Sequence, residues 1–159
     1  DHTVTSPVSR QDQRREAILN AARELFVELG PERVSMRQIA ARLGQTTGAL
    51  YAHFADRESI LVAVCQHDFL RLRQEFARVE AIADPVERLR EIGRQYIRFA
   101  VAYPAHYRLM FMTVQPPGVD KACGELQPGD PDHDAYAFLL QTVEAARADG
   151  RFRPEYDDP

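Results

Sequence analysis

Tryptophan is absent from this chain and cysteine nearly so: Cys65 and Cys123 are the only two, far apart and in no C-x-x-C pair. That excludes a disulfide framework and a thiolate zinc site, and it suits reduced thiols in a cytoplasmic protein. Long apolar runs are missing as well. The longest, Phe99 to Ala105 and Leu109 to Met112, are too short to cross a bilayer, and residues 1–9 have no basic stretch leading into an apolar core. Neither a membrane partner nor an export signal is expected. A strong excess of positive charge is also lacking: the net charge of -4 argues against a protein that coats nucleic acid indiscriminately.

What is present is helical periodicity in a chain of 159 residues that is 45% hydrophobic, enough for a real core. Ile18, Leu19, Ala22, Leu25, Phe26 and Leu29 recur at helical spacing until Gly30-Pro31 stops them. Ser35 with Gln38 forms a capping box for a second helix, which Gly44 ends. Thr46 caps a very short third helix and Asp56 a long fourth, which runs through Ile60, Leu61, Val64, Phe69, Leu72 and Phe76. Ala83-Asp84-Pro85 breaks that pattern, and further helices follow from Pro85, from Pro104 and from about Asp134. Residues 116–133, rich in Pro, Gly and Asp, read as a long loop. No window alternates apolar and polar residues as a strand would, and no repeat is visible, so the fold is expected to be all-α.

The densest chemistry lies between Ser35 and Ser59. Two helix starts flank a turn built on Gly44 and small residues, which is what a helix-turn-helix needs if its second helix is to enter a major groove. Charge gives modest support: residues 10–57 hold eight Arg against six acids (8 - 6 = +2), whereas residues 58–159 hold twelve basic residues against seventeen acids (12 - 17 = -5). Helix N-termini, whose unpaired N–H groups attract anions, are expected to compensate for the small surplus. Phe54 reads as core, and Arg14, Arg15, Arg23 and Arg42 read as solvated helix faces.

The run Ile39-Ala40-x-x-Leu43-Gly44-Gln45-Thr46-x-Gly48-x-Leu50-Tyr51-x-His53-Phe54-x-Asp56-Arg57-Glu58-x-Ile60-Leu61 resembles the signature of the TetR family of bacterial transcriptional regulators. The resemblance covers roughly Arg14 to Phe69. It departs from the commonest pattern at Ser35, Leu43, Gln45 and Arg57, where Thr, Ala, Val and Lys are usual. Carried over by position, it implies that Tyr51, His53 and Arg57 lie against phosphates, that Ser35 both caps its helix and touches a phosphate, and that Arg37 reaches a guanine edge or a phosphate. The turn residue Gln45 and the residues Thr46, Thr47, Gly48 and Ala49 would then lie nearest the DNA, the last four closest to the bases.

Residues Tyr96 to Met112 also resemble a segment of one C-terminal class of that family, through Phe99-Ala100, Pro104 and Tyr107-Arg108-Leu109-Met110-Phe111. The resemblance implies a helical effector-binding and dimerisation domain over residues 57–159, behind a helix-turn-helix domain over residues 10–56. Aromatic and methionine side chains suit an adaptable apolar cavity, and Phe69, Tyr96, Phe99, Tyr103, Tyr107, Met110 and Phe138 are expected to line one. Relatives of this class continue beyond the acidic turn at Asp157 into two further helices, so the second domain is expected to be incomplete here.

The expectation is therefore a regulator, most simply a repressor, that binds a palindromic double-stranded operator as a homodimer and is released by a small apolar effector, with no cofactor and no metal. Catalysis has little support. Asp130, Asp132, His133 and Asp134 lack the ordered spacing of a cation loop, and Cys65 and His67 fall on different sides of their helix. Two other readings stay open from sequence: a regulator without a small-molecule effector, and a helical enzyme or partner-binding protein that carries the same domain.

Overall fold

Residues 9–114, 131 and 134–152 are described by the structure, a computed structural model. Among them every regular element is helical. In chain order these are α1 (Arg10–Leu29), a 3-10 turn (Pro31–Arg33), α2 (Met36–Leu43), α3 (Thr47–Tyr51), α4 (Arg57–Ala77), α5 (Pro85–Ala102), α6 (Pro104–Phe111) and α7 (Ala135–Ala148). The expected loop over 116–133, with Cys123, Asp130, Asp132 and His133, falls outside the described residues except for Pro131. The chain divides into two compact units, Asp1–Val64 and Cys65–Pro159.

In the first unit α1 starts from a capping box the periodicity did not announce: Asp12 N donates to Ser9 Oγ at 3.1 Å, and the Asp12 carboxylate accepts from Ser9. It buries Ile18, Leu19, Ala22, Leu25 and Phe26, and its backbone turns away at Gly30, where φ is +85. Pro31 opens the 3-10 turn. The short α2 inserts Met36, Ile39 and Ala40, and α3 inserts Leu50, which is fully buried. Helix α2 packs on both α1 and α3. Arg42 ties α2 back to α1 by donating to Glu24 at 3.2 Å and to Glu28 at 2.9 Å, and it holds the Glu28 carboxyl below its usual range.

One expectation fails here. Arg23 is not a solvated side chain but 2% exposed. It stands four residues after Leu19 and three before Phe26, so helical geometry carries it into the apolar stripe, where Nη1 donates to Asn20 Oδ1 at 2.7 Å. Arg15 is engaged too, its guanidinium lying 4.9 Å from the ring centroid of Phe54.

The second unit is built on α5, which packs against α6 and α7. Asp84 caps α5 by accepting from Val86 N at 2.9 Å and Glu87 N at 3.2 Å, with Pro85 in the first turn. The core gathers Leu72, Phe76, Val79, Ile92, Phe99, Met110, Ala135 and Phe138. The buried Arg73 is satisfied from three directions: its Nε donates to Pro131 O at 2.5 Å, its Nη2 pairs with Glu80, and its guanidinium covers the Phe138 ring at 4.4 Å. Arg151 returns to Asp84 with two hydrogen bonds of 2.8 Å, closing the end of α7 onto the start of α5.

Candidate nucleic-acid interface

The α2–turn–α3 unit is fixed by local hydrogen bonds. Ser35 N donates to Gln38 Oε1 at 2.8 Å and Gln38 N to Ser35 Oγ at 3.2 Å, so each end of the box satisfies the other. At the far end Gly44 adopts the left-handed conformation, φ +63 and ψ +32. Gly44 N donates to Ala41 O at 3.1 Å and Gln45 N to Ala40 O at 2.9 Å, which turns the chain sharply and leaves few carbonyls of α2 unpaired. Thr46 Oγ1 then accepts from Ala49 N at 3.4 Å and starts α3.

This geometry sorts the expected contact residues. Ser35, Arg37, Gln45, Thr46, Gly48 and Tyr51 are exposed, while Thr47, Ala49, His53 and Arg57 are half-buried. Tyr51 leaves 55% of its surface in solvent, whereas its neighbour Leu50 has none exposed and Phe54 only 6%. One five-residue helix thus separates an anchoring side from an outer side that carries an aromatic residue. A Cβ added at Gly48 would meet only Thr46 Oγ1, at 3.8 Å, so nothing inside the chain requires a glycine there.

At the start of α4 one feature was not foreseen, and the expected Asp56 cap is present. Arg57 Nη1 donates to Glu32 O at 3.0 Å and Val34 O at 3.3 Å, so the side chain that begins α4 also clamps the 3-10 turn. At the same helix start Asp56 Oδ1 accepts from Ser59 N and Ser59 Oγ, both at 2.7 Å, and these bonds hold the Asp56 carboxyl below its usual range. One free N–H of α4 is therefore satisfied within the chain.

In the second unit, six of the seven residues expected to line a cavity share one cluster. Phe99, Met110 and Phe138 are in the core, and Phe69, Tyr96 and Tyr103 pack against it. Tyr107 joins through Tyr96, whose Oη donates to Tyr107 Oη at 3.2 Å with the rings 5.7 Å apart. Burial, with Tyr107 alongside, pushes the Tyr96 phenol up to about 12. Phe111, not among the expected residues, meets Phe69 and Tyr96 edge to face and Tyr107 at a tilt, at centroid distances of 5.8, 5.5 and 5.2 Å. Its place one turn after Tyr107 on α6 was the signal that would have included it. Asp134, from the presumed acidic loop, is the N-cap of α7 and accepts from Tyr136 N and Ala137 N.

A sequence model of bacterial regulatory proteins of the tetR family matches residues 18–64, and one of the tetracyclin repressor-like C-terminal domain matches residues 89–158. The chain is 34% identical over 74 residues to the HTH-type transcriptional repressor AcnR of Corynebacterium diphtheriae, covering 45% of this chain and 39% of that one. It is 40% identical over 72 residues to the repressor Rv3405c of Mycobacterium tuberculosis, covering 45% and 38%. These matches span about two fifths of the relatives' length. Among solved structures, a TetR family transcription regulator from Marinobacter aquaeolei superposes with a TM-score of 0.74 at 21% identity, covering 91% of this chain and 74% of that one. SmeT, the repressor of the Stenotrophomonas maltophilia multidrug efflux pump SmeDEF, does so with a TM-score of 0.68 at 27% identity, covering 88% and 66%.

Proposed function

The chain belongs to the TetR family of bacterial transcriptional regulators, and from that premise we propose that it is a repressor which holds a palindromic operator as a homodimer and is released by a small apolar ligand. Its family consists of DNA-binding transcription factors, not enzymes. In this reading residues 10–56 bind DNA and residues 57–159 bind the effector and pair the subunits. The observation that carries the reading is the two-sided α3: Leu50 is fully buried while Tyr51, 55% exposed, and the small residues Thr46 and Gly48 face outward.

Small side chains on the outer side let the helix backbone approach base edges, and Tyr51, His53, Ser35 and Arg57 then position it on phosphates. Arg37 and Gln45 flank that surface. The effector would occupy the aromatic cluster of Phe69, Tyr96, Phe99, Tyr103, Tyr107, Met110 and Phe138, and it would favour a state in which the two reading heads no longer match successive major grooves. No helix among the described residues is long and apolar enough to cross a membrane, which agrees with a cytoplasmic regulator.

Selection from a randomised duplex library tests both halves of the proposal. The recovered sequence should be palindromic, with half-sites about one helical turn apart. Replacing Thr47 should change the preferred bases more than the affinity for random DNA. Recovery of no preferred sequence would refute the regulator reading, and a preferred sequence without symmetry would refute the dimer.

A further inference from the structure

One face of α4, well apart in sequence from the reading head, carries a polar groove of about 180 Å³ lined by His67, Leu70, Arg71, Gln74 and Glu75. The intervals of three and four place all five on a single side of the helix. Arg71 is the unusual member. It is half-buried, its guanidinium lies 4.1 Å from the ring centroid of Tyr103, and no carboxylate among the described residues pairs with it.

Yet a partner stands one turn away. Glu75 is at the i+4 position, within reach but in the less favourable order of base before acid, and it pairs instead with Arg78 at 3.3 Å. The other deeply placed cation on α4 behaves differently, since Arg73 is met by Glu80 and by Pro131 O. Stacking on Tyr103 covers one face of the Arg71 guanidinium and leaves the N–H donors, which lie in its plane, directed sideways. Gln74 adds an amide and Leu70 an apolar surface.

We propose that this groove binds a small aromatic monocarboxylate. Its carboxylate accepts from the edge of Arg71 in a charge-assisted pair, and its ring rests on Leu70. The groove is open to solvent and Leu70 is the one apolar side chain in its lining, so the ring is covered on one side only. The Glu75 carboxylate in the lining selects against a second negative charge, which makes phosphates and dicarboxylates poorer ligands. The site uses no residue of the proposed DNA surface and shares only Tyr103 with the proposed effector cluster, so its test is separable from that of DNA binding.

Calorimetric titration of the chain with benzoate, its neutral isostere benzamide and inorganic phosphate tests the proposal. Benzoate is expected to bind saturably, and benzamide and phosphate at least tenfold more weakly. Arg71→Gln should reduce benzoate affinity at least tenfold while the circular dichroism spectrum is unchanged. Leu70→Glu, which places a carboxylate in the groove and leaves Arg71 on Tyr103, should abolish benzoate binding and serves if Arg71→Gln does not fold. Equal binding of benzoate and benzamide, undiminished benzoate binding by either variant, or no saturable benzoate binding would each overturn it.

Discussion

Arg57 offers the sharpest test of the DNA surface, because its two proposed roles predict different readouts. Within the chain, Nη1 clamps Glu32 O and Val34 O at 3.0 and 3.3 Å, and the remaining N–H groups are left for a phosphate. Arg57→Gln removes the charge and weakens the clamp. Hydrogen bonds from a charged donor contribute roughly 1.5–3 kcal/mol when buried. At this half-buried position the loss should be about 1 kcal/mol, read by denaturant unfolding. The DNA term is separable through salt. One phosphate contact contributes about 0.9 to the slope of log affinity against log salt, so raising salt from roughly 50 to 200 mM should weaken the parent about 3.5-fold more than the variant. Fluorescence anisotropy on a labelled random duplex measures this directly. Arg57→Lys should restore the slope but not the stability, since one ammonium cannot reproduce the planar fork that reaches both carbonyls. If Arg57→Gln lowers stability and leaves the slope untouched, Arg57 is only the clamp and the phosphate assignment is wrong.

Three further outcomes follow from the packing. Gly44→Ala should cost about 1–2 kcal/mol, because a Cβ there meets nothing within 4 Å and the whole penalty is the left-handed backbone; Gly44→Asn should cost clearly less, and equal losses in urea titrations would refute that account. Phe99→Ala, at a side chain 1% exposed, should cost about 3–5 kcal/mol, followed by tyrosine fluorescence because five of the six tyrosines lie beyond Val64. The Asp84 carboxyl is held down from 3.8 to about 2, first by Arg151 and then by the α5 N–H groups. A depressed carboxylate stabilises above its ordinary range and loses that contribution as pH falls through its folded value. Parent and Asp84→Asn should therefore differ by a constant amount above about pH 5 and converge as pH drops from about 4 towards 2; a difference that persists unchanged at pH 2 would remove Arg151–Asp84 as its cause.

How much of this was legible in the sequence depended on how far each interaction reaches along the chain. The Ser35–Gln38 box, the Gly44 turn and the Thr46 and Asp56 caps join residues three to five apart, so the residue types themselves state the geometry. Arg57 and the carbonyls it clamps are 25 and 23 residues apart, and Arg42 and its acids 18 and 14. No local pattern announces such pairs. Arg23 and Gln95 were hidden for another reason. Each stands in an otherwise apolar stripe, and a reading that follows only the apolar positions steps over the polar side chain buried among them. The second unit shows the same limit, since the aromatic periodicity collected the members of the cluster but not which of them touch.

The partners of the arginines also limit how this head would hold DNA. Of the eight arginines in residues 10–57, four are occupied inside the unit: Arg15 on Phe54, Arg23 with Asn20, Arg42 with Glu24 and Glu28, and Arg57 on two carbonyls. Among the described residues that leaves Arg10, Arg14, Arg33 and Arg37 without an ion pair, together with the outer edge of Arg57. Those five cations at about 0.9 each would give a salt slope near 4.5 for one copy. Its electrostatic grip is therefore modest, and discrimination has to come from close approach of α3, through Thr46, Thr47, Gly48 and Ala49, to base edges. A single five-residue helix touches few bases, so a second copy is what turns this surface from a weak binder into a specific one.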